Sequence, residues 1–146
     1  MPTLYVAGPV IHRHRHELPE VYRAIQDTAE SYGWSVELPE RDENIDGFPP
    51  ERFVKYVAER INEAAAVVAV LPLGDQSVPI ESSMAAFSRK PQLVVAEGAR
   101  SPRLIEGLPG VGRVVALEDP QGVAEGLVKL LENAEAVEPP PTAPAY

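Results

Sequence analysis

Short apolar runs alternate with segments of helical period along most of this chain. Leu4 to Ala7 is apolar and stops at Gly8-Pro9, the pattern of a buried strand entering a turn. Leu18, Val21, Tyr22, Ile25, Ala29 and Tyr32 then recur at helical spacing, and Gly33 follows where a helix-ending glycine belongs. Trp34 to Leu38 reads as a second strand, stopped by Pro39. After a polar loop from Pro39 to Pro50, a second helix carries Phe53, Val57, Ile61 and Ala64 on one face. Ala65 to Leu71 is the clearest buried strand. A loop from Pro72 to Val78 leads into a third helix, expected to start at Pro79 and to run to about Ser88.

Leu93 to Ala96 and Arg113 to Leu117 supply two more strands, with room for one helical turn in the Gly- and Pro-rich stretch between Gly98 and Gly112. The last helix spans roughly Pro120 to Asn133, with Val123, Leu127, Leu130 and Leu131 on one face. Strands alternating with helices make βαβ units. The expected fold is therefore a five-stranded, doubly wound parallel sheet flanked by helices, a flavodoxin- or Rossmann-like three-layer sandwich. It occupies residues 1–133. Residues 134–146 hold a proline-rich stretch and are expected to be a disordered tail.

Composition agrees with this reading and narrows the function. A chain of 146 residues with 45% hydrophobic and 24% charged residues suits one domain with a proper core. There is no cysteine, so thiolate metal sites and disulfides drop out. No apolar run reaches the ~20 residues of a membrane span, and the first residues lack the form of a signal peptide, which points to a cytoplasmic location. A net charge of −9 repels nucleic-acid polymers and leaves small ligands as partners. The one basic cluster, His12-Arg13-His14-Arg15-His16, is long enough for a phosphate or two. Its arginines would repel a metal ion, so no metal site is expected there.

In a doubly wound sheet, ligands bind beyond the C-terminal ends of the strands. Three loops meet that description: Gly8 to His16, Pro39 to Pro50, and Pro72 to Glu81. Glu81, expected in the third position of its helix, faces a dipole that favours the ionised carboxylate by roughly 0.3–1 kcal/mol. An ionised carboxylate at a ligand edge is suited to nucleophilic attack. Glycoside chemistry uses a pair of carboxyl groups in this way, and Asp42 and Asp46 of the acidic loop are candidate partners, with Asn44 between them. The same loop has the opening of a calcium-binding loop but not the glutamate that would close it. Gly-x-Gly-x-x-Gly, Walker A and Gly-x-Ser-x-Gly patterns are all missing, so dinucleotide, nucleoside-triphosphatase and serine-hydrolase chemistry have no motif.

Three segments carry a family resemblance: Leu4-Tyr5-Val6-Ala7-Gly8-Pro9, the Ala-Val-Val-Ala-Val strand, and the stretch from Ser77 through Glu81 to Arg89-Lys90-Pro91. In this order and spacing they resemble the nucleoside 2-deoxyribosyltransferase family, whose superfamily also holds nucleoside 5′-monophosphate N-glycosidases. The resemblance spans about residues 3 to 131. It implies a covalent glycosyl intermediate on Glu81, with Tyr5 orienting that carboxylate. It also implies an acidic group that protonates the leaving base, for which Asp42, Asp46 and Glu59 are candidates. No metal or organic cofactor is implied. The family forms oligomers, so a homodimer or larger assembly is expected. Two positions depart from the family pattern, Pro79 in the loop before the glutamate and Ala66 in place of a strand aspartate.

The expected function is thus cleavage or transfer of the N-glycosidic bond of a nucleoside. A 5′-monophosphate N-glycosidase is the near alternative, with Arg13, Arg15, Ser77 and the Gly8-Pro9 turn as candidate phosphate contacts, and Asn44 and Glu59 are further candidate substrate contacts. A nucleotide-binding protein without turnover is the alternative from another class.

Overall fold

The computed structural model describes residues 1–9, 17–39 and 47–136. The elements are β1 (Thr3–Ala7), α1 (Glu17–Ser31), β2 (Ser35–Glu37), α2 (Pro50–Glu63), β3 (Ala66–Leu71), α3 (Ser77–Phe87), β4 (Gln92–Ala96), a 3-10 turn (Glu97–Ala99), α4 (Arg103–Glu106), β5 (Val111–Ala116) and α5 (Pro120–Ala136). The strands form one all-parallel sheet in the order β2-β1-β3-β4-β5. This is the doubly wound three-layer sandwich expected from the alternation. Among the described residues, no helix is long and apolar enough to cross a membrane.

Two cores lie on the two faces of the sheet because side chains alternate along each strand. In β3, Ala66, Val68 and Val70 face one core and Val67, Ala69 and Leu71 the other. The first core receives Leu18, Tyr22, Ile25 and Ala29 from α1 and Val123, Leu127 and Leu131 from α5. The second receives Val57 and Ile61 from α2, Val78 and Ala85 from α3, and Ile105 from α4. Burying each larger aliphatic side chain in these layers contributes about 1.5–3 kcal/mol. Since both faces are covered, β3 has no polar alternation and reads as a continuous apolar run.

Local signals set the helix ends. Gly33 adopts φ 82°, and the amides of Gly33 and Trp34 return to the carbonyls of Glu30 and Ala29, closing α1 as a left-handed glycine cap does. Two ends differ from the sequence reading. Helix α3 begins at Ser77, two residues before Pro79, because Asp75 Oδ1 accepts from the amides of Ser77 and Val78, each at 2.9 Å. Pro79 then sits in the first turn, where its missing N–H has no intrahelical partner to lose. Helix α5 continues past Asn133 to Ala136. There Trp34, which is 2% exposed, donates from Nε1 to Glu135 Oε1 at 2.9 Å.

Replacing Glu135 by Ala leaves that indole N–H without its acceptor. We expect a loss of about 1–2 kcal/mol, read as a lower urea midpoint at an unchanged slope.

Candidate active site

The order β2-β1-β3-β4-β5 reverses direction between β1 and β3. Connections leave these two neighbours toward opposite faces, so a crevice opens at their C-terminal ends, the usual ligand position in such sheets. Gly8-Pro9 follows β1 there, and the segment from Pro72 to Gln76 follows β3. Gly8 is required by close approach. A Cβ on it would run into the hydroxyl of Tyr22, and that hydroxyl donates to the Pro9 carbonyl at 2.8 Å. Helix α1 thereby fixes the turn after β1.

Tyr5, two residues before the end of β1, and Glu81 of α3 meet on the face of the sheet that α3 covers. The Tyr5 hydroxyl donates to Glu81 Oε1 at 2.7 Å across 76 positions of sequence. Both side chains are buried, Tyr5 at 6% and Glu81 at 8% exposure. A carboxylate taken out of water needs such a donor, since an unmet charge in the interior is expensive. Glu81 occupies the fifth position of α3, not the third expected from the sequence, because the helix starts earlier. The dipole acts mainly within the first turn, and Asp75 takes the first amides. Tyr5 therefore supplies the carboxyl group of Glu81 with a hydrogen bond that the helix end does not.

The remaining expected residues separate into groups. Ser77 is exposed at the start of α3, with its amide engaged by Asp75. Gly8 and Pro9 are buried at the edge, and the Pro9 carbonyl is engaged by Tyr22. Glu59 is half exposed on α2 and stands 4.0 Å from Lys55, a surface pair one helical turn apart. Arg13, Arg15, Asp42, Asn44 and Asp46 lie outside the described residues, as do the three histidines of the basic cluster. Among the described residues, no group of three or more His, Asp or Glu side chains could hold a metal ion.

Three residues that the sequence reading passed over also shape the site. Asp75 is one; an aspartate two residues before a helix is a capping signal that could have been read. The other two are Ser82 and Gln92, both fully buried. Ser82 Oγ bonds Gln92 Oε1 at 2.8 Å, and Gln92 Nε2 donates to the Ser82 carbonyl at 2.9 Å. At the far end of α3, Lys90 Nζ donates to the carbonyl of Asn62, in the last turn of α2, at 2.9 Å. This ties the two helices that flank Glu81. Partial burial lowers the Lys90 pKa from its ordinary value.

No family model and no curated protein matches the sequence. Solved structures do match the fold. The CMP N-glycosidase BcmB of Clostridium botulinum superposes with a TM-score of 0.64 at 14% identity, covering 87% of this chain and 98% of its own. A 2-deoxyribosyltransferase from Bacillus psychrosaccharolyticus gives 0.60 at 19% identity, over 84% of this chain and 90% of its own. A 3-dehydroquinate dehydratase-like protein from Bifidobacterium longum gives 0.54 at 13% identity, over 94% and 100%. The architecture is shared among all three. Their names differ in chemistry, so the residues of the site must decide between them.

Lys90 gives a pH test of the helix tie. Its folded pKa lies below the unfolded value, so between the two the unfolded chain binds more protons and stability rises with pH. The wild type should gain stability relative to Lys90→Met as pH climbs toward 10.5, by a modest amount because the amine is only partly buried and solvent screens it. Urea melts of both proteins from pH 8 upward measure the difference.

Proposed function

We propose that this protein breaks the N-glycosidic bond of a nucleoside, passing the sugar to a second base or to water, with Glu81 as nucleophile. The observation that carries this reading is the buried 2.7 Å hydrogen bond from Tyr5 of β1 to Glu81 of α3. It joins the two residues that the family pattern pairs as carboxylate and orienting phenol. The glycosidase and the transferase among the matching folds support it as well.

In the first step a Glu81 oxygen bonds to the anomeric carbon as the bond from that carbon to the base nitrogen breaks. The base leaves with the electron pair and takes up a proton. We assign that proton to Asp42 or Asp46. In the second step water, or a nitrogen of another base, attacks the anomeric carbon and gives its proton back to the aspartate, the sugar ester breaks, and the Glu81 carboxylate is restored. Such a route splits one hard substitution into two easier ones through oxocarbenium-like transition states. Tyr5 restricts the carboxylate to one rotamer, and neither step requires a metal or organic cofactor.

An unphosphorylated nucleoside is favoured over a 5′-monophosphate. A helix N-terminus commonly cradles phosphate, but at α3 Asp75 already accepts from the amides of Ser77 and Val78 and adds a negative charge there. The monophosphate reading keeps one support, the CMP N-glycosidase among the matching folds, and would rely on Arg13 and Arg15.

Incubation with deoxynucleosides and deoxynucleoside monophosphates, with and without an acceptor base, tests the reading. Base release is expected from the nucleosides, and free sugar without acceptor would identify water as the acceptor. Glu81→Ala should lower release by at least ~1,000-fold, and Tyr5→Phe by about 10–100-fold through lost orientation. A 2-fluoro-2-deoxynucleoside should add the mass of one sugar to the wild type and none to Glu81→Ala. Unchanged base release by Glu81→Ala refutes the proposal, while ligand binding without any base release indicates a sensing module.

The same reading includes self-association, through the outer face of α3. Ile80 and Phe87 are 63% and 70% exposed there, with half-buried Met84 between them on the same stripe. The single charged residue of α3 is the buried Glu81. In a chain of net charge −9, this helix lets two copies meet without opposing like charges. Sedimentation equilibrium should show a dimer or larger species, and Phe87→Glu should shift it toward monomer.

A further inference from the structure

We infer that Gln92 is a positioning residue for Glu81, acting through Ser82. The inference rests on Glu81 being the reactive carboxylate. Sheet register supplies the geometry. Tyr5 of β1 pairs with Val67 of β3, and Val67 pairs with Gln92 of β4. The three residues form one row across the sheet and point to the face that α3 covers. Of these three, Tyr5 and Gln92 are polar and stand about 10 Å apart by the spacing of two strand intervals; the row continues on the other side of Tyr5 to Glu37 of β2. Tyr5 and Gln92 reach up to consecutive residues of α3: Tyr5 to the carboxylate of Glu81, Gln92 to the hydroxyl and carbonyl of Ser82.

Two contacts on neighbouring residues, made from two different strands, fix the rotation of a helix about its own axis. One contact alone, made through a side chain with several rotatable bonds, does not hold that rotation. Beyond Val78 in its first turn and Glu81, the residues that α3 buries are small: Ser82, Ala85 and Ala86. Small side chains interlock weakly, so packing by itself resists rotation less than a ridge of large ones would. The reciprocal Ser82–Gln92 pair supplies what the packing lacks. It is also held rigidly from below: the Gln92 amide donates to Gly110, so β4 is anchored to the segment entering β5. Side chains extend ~5–6 Å from a helix axis. A turn of roughly 10° therefore moves a carboxylate by about 1 Å, a misplacement that can cost about 100-fold in rate.

The double variant Ser82→Ala, Gln92→Leu tests this. Removing both polar partners together avoids leaving an unmet amide in the core, and near-neutral stability is the usual outcome of such a swap. Its thermal midpoint should stay close to that of the wild type. Its crystal structure should show α3 rotated and the Tyr5–Glu81 hydrogen bond lengthened beyond hydrogen-bonding distance. Base release should fall 10- to 100-fold in kcat, with KM changed little. The single variant Ser82→Ala, which keeps the bond from Gln92 to the Ser82 carbonyl, should lose only a few-fold and serves if the double variant does not fold. A Tyr5–Glu81 bond retained in the double variant, or equal kcat in Ser82→Ala and wild type, overturns the inference. The crystal structure reads the geometry whether or not the chain turns over. Absence of base release from the wild type would instead refute the proposed function and leave the geometric result standing.

Discussion

A carboxylate that is 8% exposed must be met by hydrogen-bond donors or lose its charge, and much of this structure follows from meeting that demand at Glu81. The Tyr5 hydroxyl does so at 2.7 Å. For the phenol to be there, β1 must lie beside β3, α3 must return over the same face of the sheet, and Tyr5 must fall on the inward-facing phase of its strand. Each of these is a property of the doubly wound arrangement. The bond in turn ties the first strand of the chain to the helix after the third.

The surroundings of that bond are organised to resist displacement. Asp75 sets where α3 begins, the Ser82–Gln92 pair holds its first half to β4, and Lys90 ties its far end to α2. On the opposite face, Tyr22 reaches through to the Pro9 carbonyl and requires glycine at position 8. Most of these polar contacts sit at the ends of elements, where backbone and side-chain groups would otherwise be unmet; Ser82 is the exception, at the middle of α3. Between them the layers are apolar. The division fits a site whose precision depends on rigid elements more than on loops.

A fold shared with a CMP N-glycosidase, a 2-deoxyribosyltransferase and a dehydratase-like protein does not by itself select a reaction. The reaction proposed above rests on the pairing of a phenol with a buried carboxylate. In that proposal Asp75 bears on the choice of substrate and not on the bond-breaking step. It fills the anion-binding end of α3 with the protein's own charge, so a phosphate there would have to displace it or find its cations elsewhere.

The elements themselves were legible in the sequence because their causes are local. Apolar runs such as Ala66 to Leu71, the helical spacing of Val57 and Ile61, and the glycine after α1 each fix a conformation within a few residues. The alternation of those elements fixed the fold class. Tyr5 and Glu81 were legible as a pair only through the family pattern; nothing in composition or spacing brings residues 76 apart together. The exact start of α3 was misplaced because Pro79 is a strong local signal for a first helical position, while the Asp75 cap that overrides it is weaker to the eye. The last helix was ended early because the partner of Glu135 is Trp34, a residue 101 positions away. The Ser82–Gln92 pair left no trace at all, since a serine and a glutamine are ordinary residues until burial makes their partners obligatory. Local chemistry is written in the sequence. Which polar groups must find each other is decided only when the tertiary structure removes water from both.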